Sequence, residues 1–332
     1  MNYSICMTGS APFVASVDRR ISEALRLADD ADAGSKLLAE AAAHLCTAAG
    51  AKHFRPQLVH LFGGIFDLPE DPLRRIAVGA ELIHAASLLH DDVIDAGTER
   101  RGRPTANVQW SNSVAVLAGD WLLTRATLEV APLGITILSD AIETVRLMTA
   151  SAIREVEARG STTLTFAQWR TLAEGKAGEL FAWALSSLAL LGRQPELCGP
   201  FRQLGRQLGV SFQMGDDLKD LLDEHSGKDR FADLKNQNPS FALVVAMESS
   251  PELRQRIGEA WSAAATPADI GNLGQAVIET GALVAAQKLL KTEVQGAMAS
   301  LSTLAPPAVA AAFVELAASF AGRQAAVLRG AA

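Results

Sequence analysis

Aromatic residues make up only 5% of this 332-residue chain, and alternating runs of Val, Ile, Thr and aromatics are nearly absent. Period-2 strands therefore find little support anywhere. Cysteine is scarce too: Cys6, Cys46 and Cys198 are odd in number and far apart, so neither a disulfide framework nor a CxxC metal site can be read. A reducing cytoplasm is the expected setting. Positive charge is in deficit, with 30 Lys and Arg against 37 Asp and Glu, and a net charge of −7 gives no electrostatic reason to expect a nucleic-acid partner. The N-terminal stretch MNYSICMTGSAPFVASVDRR lacks a basic region followed by an apolar one, which argues against a signal peptide. The longest apolar runs, such as that from Phe181 to Gly192, fall short of the ~18 to 20 residues of a spanning helix, so no transmembrane segment is expected. Phosphate loops of the GxGxxG or GxxxxGK[ST] type are missing as well.

What remains is rich in Ala, Leu, Glu, Gln and Arg, with a mean hydropathy of +0.16, and reads as a globular all-α chain. No joint is long enough for a linker and no fixed-period repeat occurs, so residues 1–332 are expected to form a single helical domain, with 1–16 a flexible segment ahead of it. Breakers at Pro69–Pro72, Gly97–Pro104, Gly192–Pro195 and Pro306–Pro307 mark the joints, and unbroken helices are expected over about 17–30, 165–191, 239–264 and 267–302.

The chemistry is concentrated in two stretches. In AELIHAASLLHDDVIDAGTERRGRPTAN an apolar helix suddenly carries Asp91, Asp92 and Asp95. Asp is a poor helix former, and like charges one turn apart on a partly buried helix repel. At about 100° per residue Asp91 and Asp95 share a stripe with His84, so their carboxylates could jointly face a hard divalent cation. Alone, such a triplet reads more readily as a solvated helix end with an acidic cap. It is repeated, however, in FQMGDDLKDLLDEHSGKDRFADL as Asp216, Asp217 and Asp220. Two acidic helices in one chain suit Mg²⁺ shared with substrate phosphates, which makes a diphosphate the expected guest. Lys52, Arg55, Arg100, Arg101, Lys176 and Lys228 flank these stretches, and together they would complement that anion.

These motifs resemble the polyprenyl synthetase family, the trans-isoprenyl diphosphate synthases, across about residues 35 to 300. LLHDDVID with TERRGRPTAN is similar to the family's first aspartate-rich motif and arginine pair, FQMGDDLKD to its second, and GAKHFRP and EGKAGELF to its two lysine motifs. The resemblance implies a helical bundle around a deep central cavity, a homodimer, and Mg²⁺-dependent head-to-tail prenyl transfer from an allylic prenyl diphosphate to isopentenyl diphosphate. It further implies that Asp91, Asp95 and Asp216 hold three Mg²⁺ ions, with Asp92, Asp217 and Asp220 in support. Arg100, Lys176 and Lys228 would then bind the allylic diphosphate, and Lys52, Arg55, His84 and Arg101 the isopentenyl diphosphate, with Gln213 beside the reacting chain.

Ser87 and Ile83 lie one and two turns before Asp91, along the expected path of the growing tail. The family blocks elongation with bulky aromatics four or five residues before the first Asp; here Ala86 and Ser87 are small, which favours products of C25 or longer. Three positions depart from the family pattern, which usually has Arg at His53, Thr at Ala177 and Lys at Asn238. These departures motivate a rival reading, a catalytically silent diphosphate-binding partner of a prenyltransferase, against which stands the retention of all six aspartates. A class I terpene cyclase would carry a different second metal motif, and a di-iron bundle needs two ExxH elements where only Glu81-Leu82-Ile83-His84 occurs.

Overall fold

The computed structural model describes residues 10–26, 32–47, 53–100, 102–222, 231–262 and 266–321, and these are almost entirely helical. They fall into two compact units that alternate along the chain, the first drawn from residues 1–145, 183–202 and 304–316, the second from 146–182, 203–303 and 317–332.

In the first unit, α1 (Ser10–Leu25) buries Phe13, Val17, Ile21 and Leu25, a stripe of four-residue spacing. The helix thus begins at Ser10, inside the segment expected to be flexible, because Phe13 and Val17 continue the apolar stripe upstream of the charged Asp18-Arg19-Arg20. It packs on α3 (Phe54–Gly63) and α4 (Glu70–Ile94), while α2 (Ala33–Cys46) is capped by Asp32, whose carboxylate accepts the Ser35 N–H at 3.0 Å. Pro69 precedes α4, and Glu70 and Asp71 occupy its first turn, where acids favour the positive pole. After α4 a two-residue hairpin, β1 (Glu99–Arg100) with β2 (Arg103–Pro104), departs from the strand-free expectation. It turns at Gly102, whose φ of +73° suits glycine. The chain continues through α5 (Ala106–Gln109), α6 (Asn112–Val130) and α7 (Ile135–Ala158). α6 lies densely along α4, and at the base of α4 a side chain on Gly79 would come within 2.6 Å of Val130.

The second unit carries α8 (Phe166–Ala173), started by a Thr165–Gln168 capping box, and a wide π-type turn over Glu174–Gly178. The predicted helix over 165–191 is therefore continuous in path but carries a one-turn bulge before α9 (Glu179–Leu191). Along the chain α10 (Cys198–Leu222) follows, then α11 (Ala232–Lys235), α12 (Phe241–Ser249), α13 (Pro251–Ser262), α14 (Pro267–Glu279), α15 (Ala282–Leu304) and α16 (Pro307–Ala321); residues 183–202 of α9 and α10 and residues 307–316 of α16 belong to the first unit. Two expected helices are each split. Pro251 forces Ser250 into extended backbone between α12 and α13, and Gly281, at φ +79°, separates α14 from α15. The core of this unit is built on α12, whose residues Phe241 to Met247 are all buried, together with Trp169, Met214, Leu218, Trp261 and Val277.

Candidate active site

Both acidic triplets stand at the C-terminal ends of 25-residue helices, α4 and α10. The C-terminal end is the negative pole of a helix dipole, so three carboxylates there are opposite to the usual preference and call for cationic compensation. In the first triplet Asp92 is buried and receives the Arg100 fork, Nε to both carboxylate oxygens at 3.0 and 3.1 Å and Nη2 to Oδ1 at 2.7 Å. Arg100, expected on the allylic diphosphate, is thus engaged by the triplet's own middle residue and anchors the hairpin to α4. Asp91 is half-buried and Asp95 exposed, and the Asp95 N–H closes the helix on the Asp91 carbonyl at 2.8 Å. The hairpin has a second tie to α2: Arg103 donates to His44 Nδ1 at 2.9 Å, which leaves Nε2 as the donor to the Pro104 carbonyl at 2.7 Å.

In the second triplet the outer residue Asp216 is exposed and accepts the Lys219 ammonium at 2.6 Å. Asp217 is buried; it accepts Gln213 Nε2 at 2.7 Å and the Phe241 N–H, at the start of α12, at 2.8 Å. Asp220 accepts the Ala232 and Asp233 N–H groups at 3.1 and 3.3 Å, which starts α11. Burial, reinforced by the neighbouring Asp233 charge, holds the Asp217 carboxyl well above the usual carboxylate range, against the two hydrogen bonds that favour its anion. Asp233 is pushed up to about 7, first by burial and then by Asp220, although Asn238 donates to it at 3.0 Å. Burial first, and like charge second, thus raise the proton affinity of both acids. The donors are all hard oxygens, the chemistry that Mg²⁺ requires, so the residues present fit that ion. Among the described residues no group of three or more His, Cys, Asp or Glu side chains comes close enough together to hold a metal ion.

Lys176 sits within the π turn and pairs with Glu155 of α7. Gly178 in the same turn lets α10 approach closely; a side chain on Gly209 would come within 2.4 Å of the Gly178 backbone. Lys176, Glu155, Gln213, Asp217 and Asn238 border one small recess, walled on its apolar side by Leu164, Trp169 and Leu172. Asn238 therefore faces the acidic nest where the family usually has Lys, and Ala177 is half-buried in the turn. Glu155 and Asp233 escaped the sequence reading. Asp233 had a visible signal, an acid in the apolar run FADL, whereas Glu155 is one acid among several on α7 and only packing singles it out.

Of the remaining expected residues, Lys52, Arg101 and Lys228 lie outside the described residues. Arg55 in the first turn of α3 and His84 on α4 are half-buried. His53 opens α3 with left-handed backbone. Along the presumed tail path, Ser87 is half-buried and donates to the His84 carbonyl at 2.8 Å. Ile83 is 4% and Ala86 0% exposed, so in this structure both serve helix packing.

Comparison with known proteins identifies the family. The family model described as polyprenyl synthetase matches residues 35–277. A nonaprenyl diphosphate synthase of Mycobacterium tuberculosis is 31% identical over 250 residues, covering 74% of this chain and 74% of the relative. An all-trans-nonaprenyl-diphosphate synthase (geranyl-diphosphate specific) of Rhodobacter capsulatus is 30% identical over 275 residues, 81% of this chain and 84% of that one. Among solved structures, a polyprenyl synthase from Caulobacter crescentus, complexed with calcium and isoprenyl diphosphate, superimposes with a TM-score of 0.85 at 26% identity, over 98% of both chains. Aspartate-rich ends on two long helices, an all-α fold, and a match running through both triplets make this chain a member of the polyprenyl synthetase family.

Proposed function

We propose that the chain is a trans-prenyltransferase that condenses isopentenyl diphosphate with an allylic prenyl diphosphate to give a trans-polyprenyl diphosphate of C25 or longer. The observation that carries the reading is the pair of acidic triplets, each at the negative end of a long helix in a chain of this family. Asp91, Asp95 and Asp216 are the side chains that would hold Mg²⁺, which when bound offsets the negative charge growing on the departing diphosphate oxygen. Asp92, Asp217 and Asp220 support them by fixing the hairpin, α12 and α11 through the hydrogen bonds described above.

Lys176, with Lys228, binds the allylic diphosphate as a fixed positive charge that is strongest where the allylic C–O bond breaks. Glu155 keeps the Lys176 ammonium oriented toward the recess until that anion takes its place. Lys52, Arg55, His84 and Arg101 hold isopentenyl diphosphate, whose double bond attacks the allylic cation and then loses a proton to the released diphosphate. The apolar wall of Leu164, Trp169 and Leu172 beside Gln213 keeps water from quenching the cation. We further infer one synthase domain, a cytoplasmic setting and a homodimer. The dimer is supported by the exposed apolar side chains Leu117 and Leu128 on α6 and Ile135 and Ile142 on α7. Among the described residues no helix is long and apolar enough to cross a membrane.

The test is incubation of purified protein with Mg²⁺, isopentenyl diphosphate and each of the C5, C10, C15 and C20 allylic primers, followed by chain-length analysis. Products of C25 or longer are expected. Absence of elongation with every primer refutes the enzyme, and abundant product stopping at C15 or C20 refutes the length alone.

A further inference from the structure

His53 departs from the family pattern, and its setting is built. It opens α3 at φ +48° and ψ +43°, the left-handed region that a residue with a side chain enters only when its surroundings hold it there. Its carbonyl accepts the Gln57 N–H at 3.2 Å, so this one residue sets the entry angle of α3 and the placement of Arg55 two residues on. Two acids flank the imidazole from two other helices. Asp18 of α1 approaches Nε2 at 3.2 Å, and Glu81 of α4 approaches Nδ1 at 3.3 Å. The side chains of His53 and Glu81 are only 13% and 14% exposed, while Asp18 is 49% exposed. Glu81 stands one turn before His84 on α4, so the same bridge touches the helix that presents His84.

Asp18 of α1 and Glu81 of α4 are charged groups that face the ring, while Arg55 lies two residues on in its own helix and His84 one turn beyond Glu81. An imidazole can donate from both nitrogens only when protonated; the neutral ring turns one nitrogen into an acceptor, which then faces a carboxylate that cannot donate. An arginine in the same place would donate to both acids at every accessible pH.

We propose that His53 is a pH-sensitive positioning residue for the isopentenyl diphosphate half of the site. The inference rests on the assignment of Arg55 and His84 to that substrate. As the imidazolium it clasps α1 and α4 and holds the α3 entry in place. On losing its proton it releases one clasp, and affinity for isopentenyl diphosphate falls while affinity for the allylic primer does not.

The test is calorimetric binding of isopentenyl diphosphate to the full chain between pH 6 and 8.5, for the wild type, His53→Arg, His53→Gln and Asp18→Asn. Because the substrate itself titrates in this range, the quantity read is the ratio of dissociation constants, wild type over His53→Arg, at each pH. That ratio is expected to rise about 5-fold from pH 6 to pH 8, the size of losing one partly transmitted charge-assisted hydrogen bond. The ratio for His53→Gln over His53→Arg at pH 6 should already equal the wild-type ratio at pH 8, and Asp18→Asn should shrink the pH step. A flat ratio, or an equal change in KM for the allylic primer, overturns the proposal. Binding requires no turnover, so the two readings separate: elongation with a flat ratio sinks only the role of His53, and a pH-dependent ratio without elongation sinks only the enzyme.

Discussion

Asp217 offers the sharpest separation of scaffold from chemistry, because one buried carboxyl both starts α12 and belongs to the second acidic triplet. Asp217→Ala leaves the Phe241 N–H, in a residue that is 0% exposed, and the Gln213 amide without their acceptor. A buried donor stripped of its partner costs about 1–3 kcal/mol, and the loss of a helix-starting acceptor falls in the same range. Gln213 is only half-buried and can turn to water, so the total expected is about 2–4 kcal/mol. Asp217→Asn keeps one acceptor oxygen for Phe241 and removes a charge that burial disfavours, so its cost should stay below about 1 kcal/mol. The sign of the pH effect follows from the raised folded-state pKa of Asp217: its contribution is full below the ordinary carboxylate range and is lost as pH rises through the raised value. Relative to the wild type, Asp217→Asn should therefore gain stability as pH rises from 5 to 8 in protein held in chelator. Urea unfolding of the chelated protein at several pH values measures each difference. An Ala variant within about 0.5 kcal/mol of the wild type would refute the anchoring of α12 by this carboxyl. An Asn variant losing ground as pH rises would refute the burial argument.

Four further outcomes follow from the same packing. Asp91→Ala or Asp216→Ala should cut elongation by orders of magnitude with unfolding midpoints close to the wild type, since both carboxylates are more exposed than the middle residues; near-normal turnover contradicts their assignment to Mg²⁺. Asp233, pushed up to about 7, should make the chelated protein about 1 kcal/mol more stable at pH 6 than at pH 7.5, and Asp233→Asn should remove that part of the slope in a pH series of unfolding curves. Gly209→Ala drives a methyl to within 2.4 Å of the Gly178 backbone, so a loss of about 1–3 kcal/mol and a weakened KM for the allylic primer should appear together in unfolding and steady-state assays. Glu129 is buried beneath Arg20, at 3.0 Å, and Arg75, at 3.4 Å; Glu129→Gln should cost about 2–4 kcal/mol by unfolding without altering product length.

Much of this protein is legible in its sequence, because the decisive signals are local. Helix content follows from composition and spacing, and the acidic triplets announce themselves because Asp is costly in an apolar helix whatever its tertiary partners. Helix boundaries were readable only where a breaker lay between strong apolar stripes. Pro251 and Gly281 lie within stretches whose stripes run on past them, so the two splits went unseen. The tertiary structure alone divided each triplet into anchors and exposed carboxylates. Nothing in DDVID or DDLKD says that Asp92 receives Arg100, or that Asp217 and Asp220 start α12 and α11. The π turn under Lys176 and the two-acid clasp on His53 are likewise products of packing. Spacing along one helix fixes which side chains share a face, but which partner desolvates, neutralises or hydrogen-bonds them is set by segments distant in sequence, and that is decided only when the helices pack.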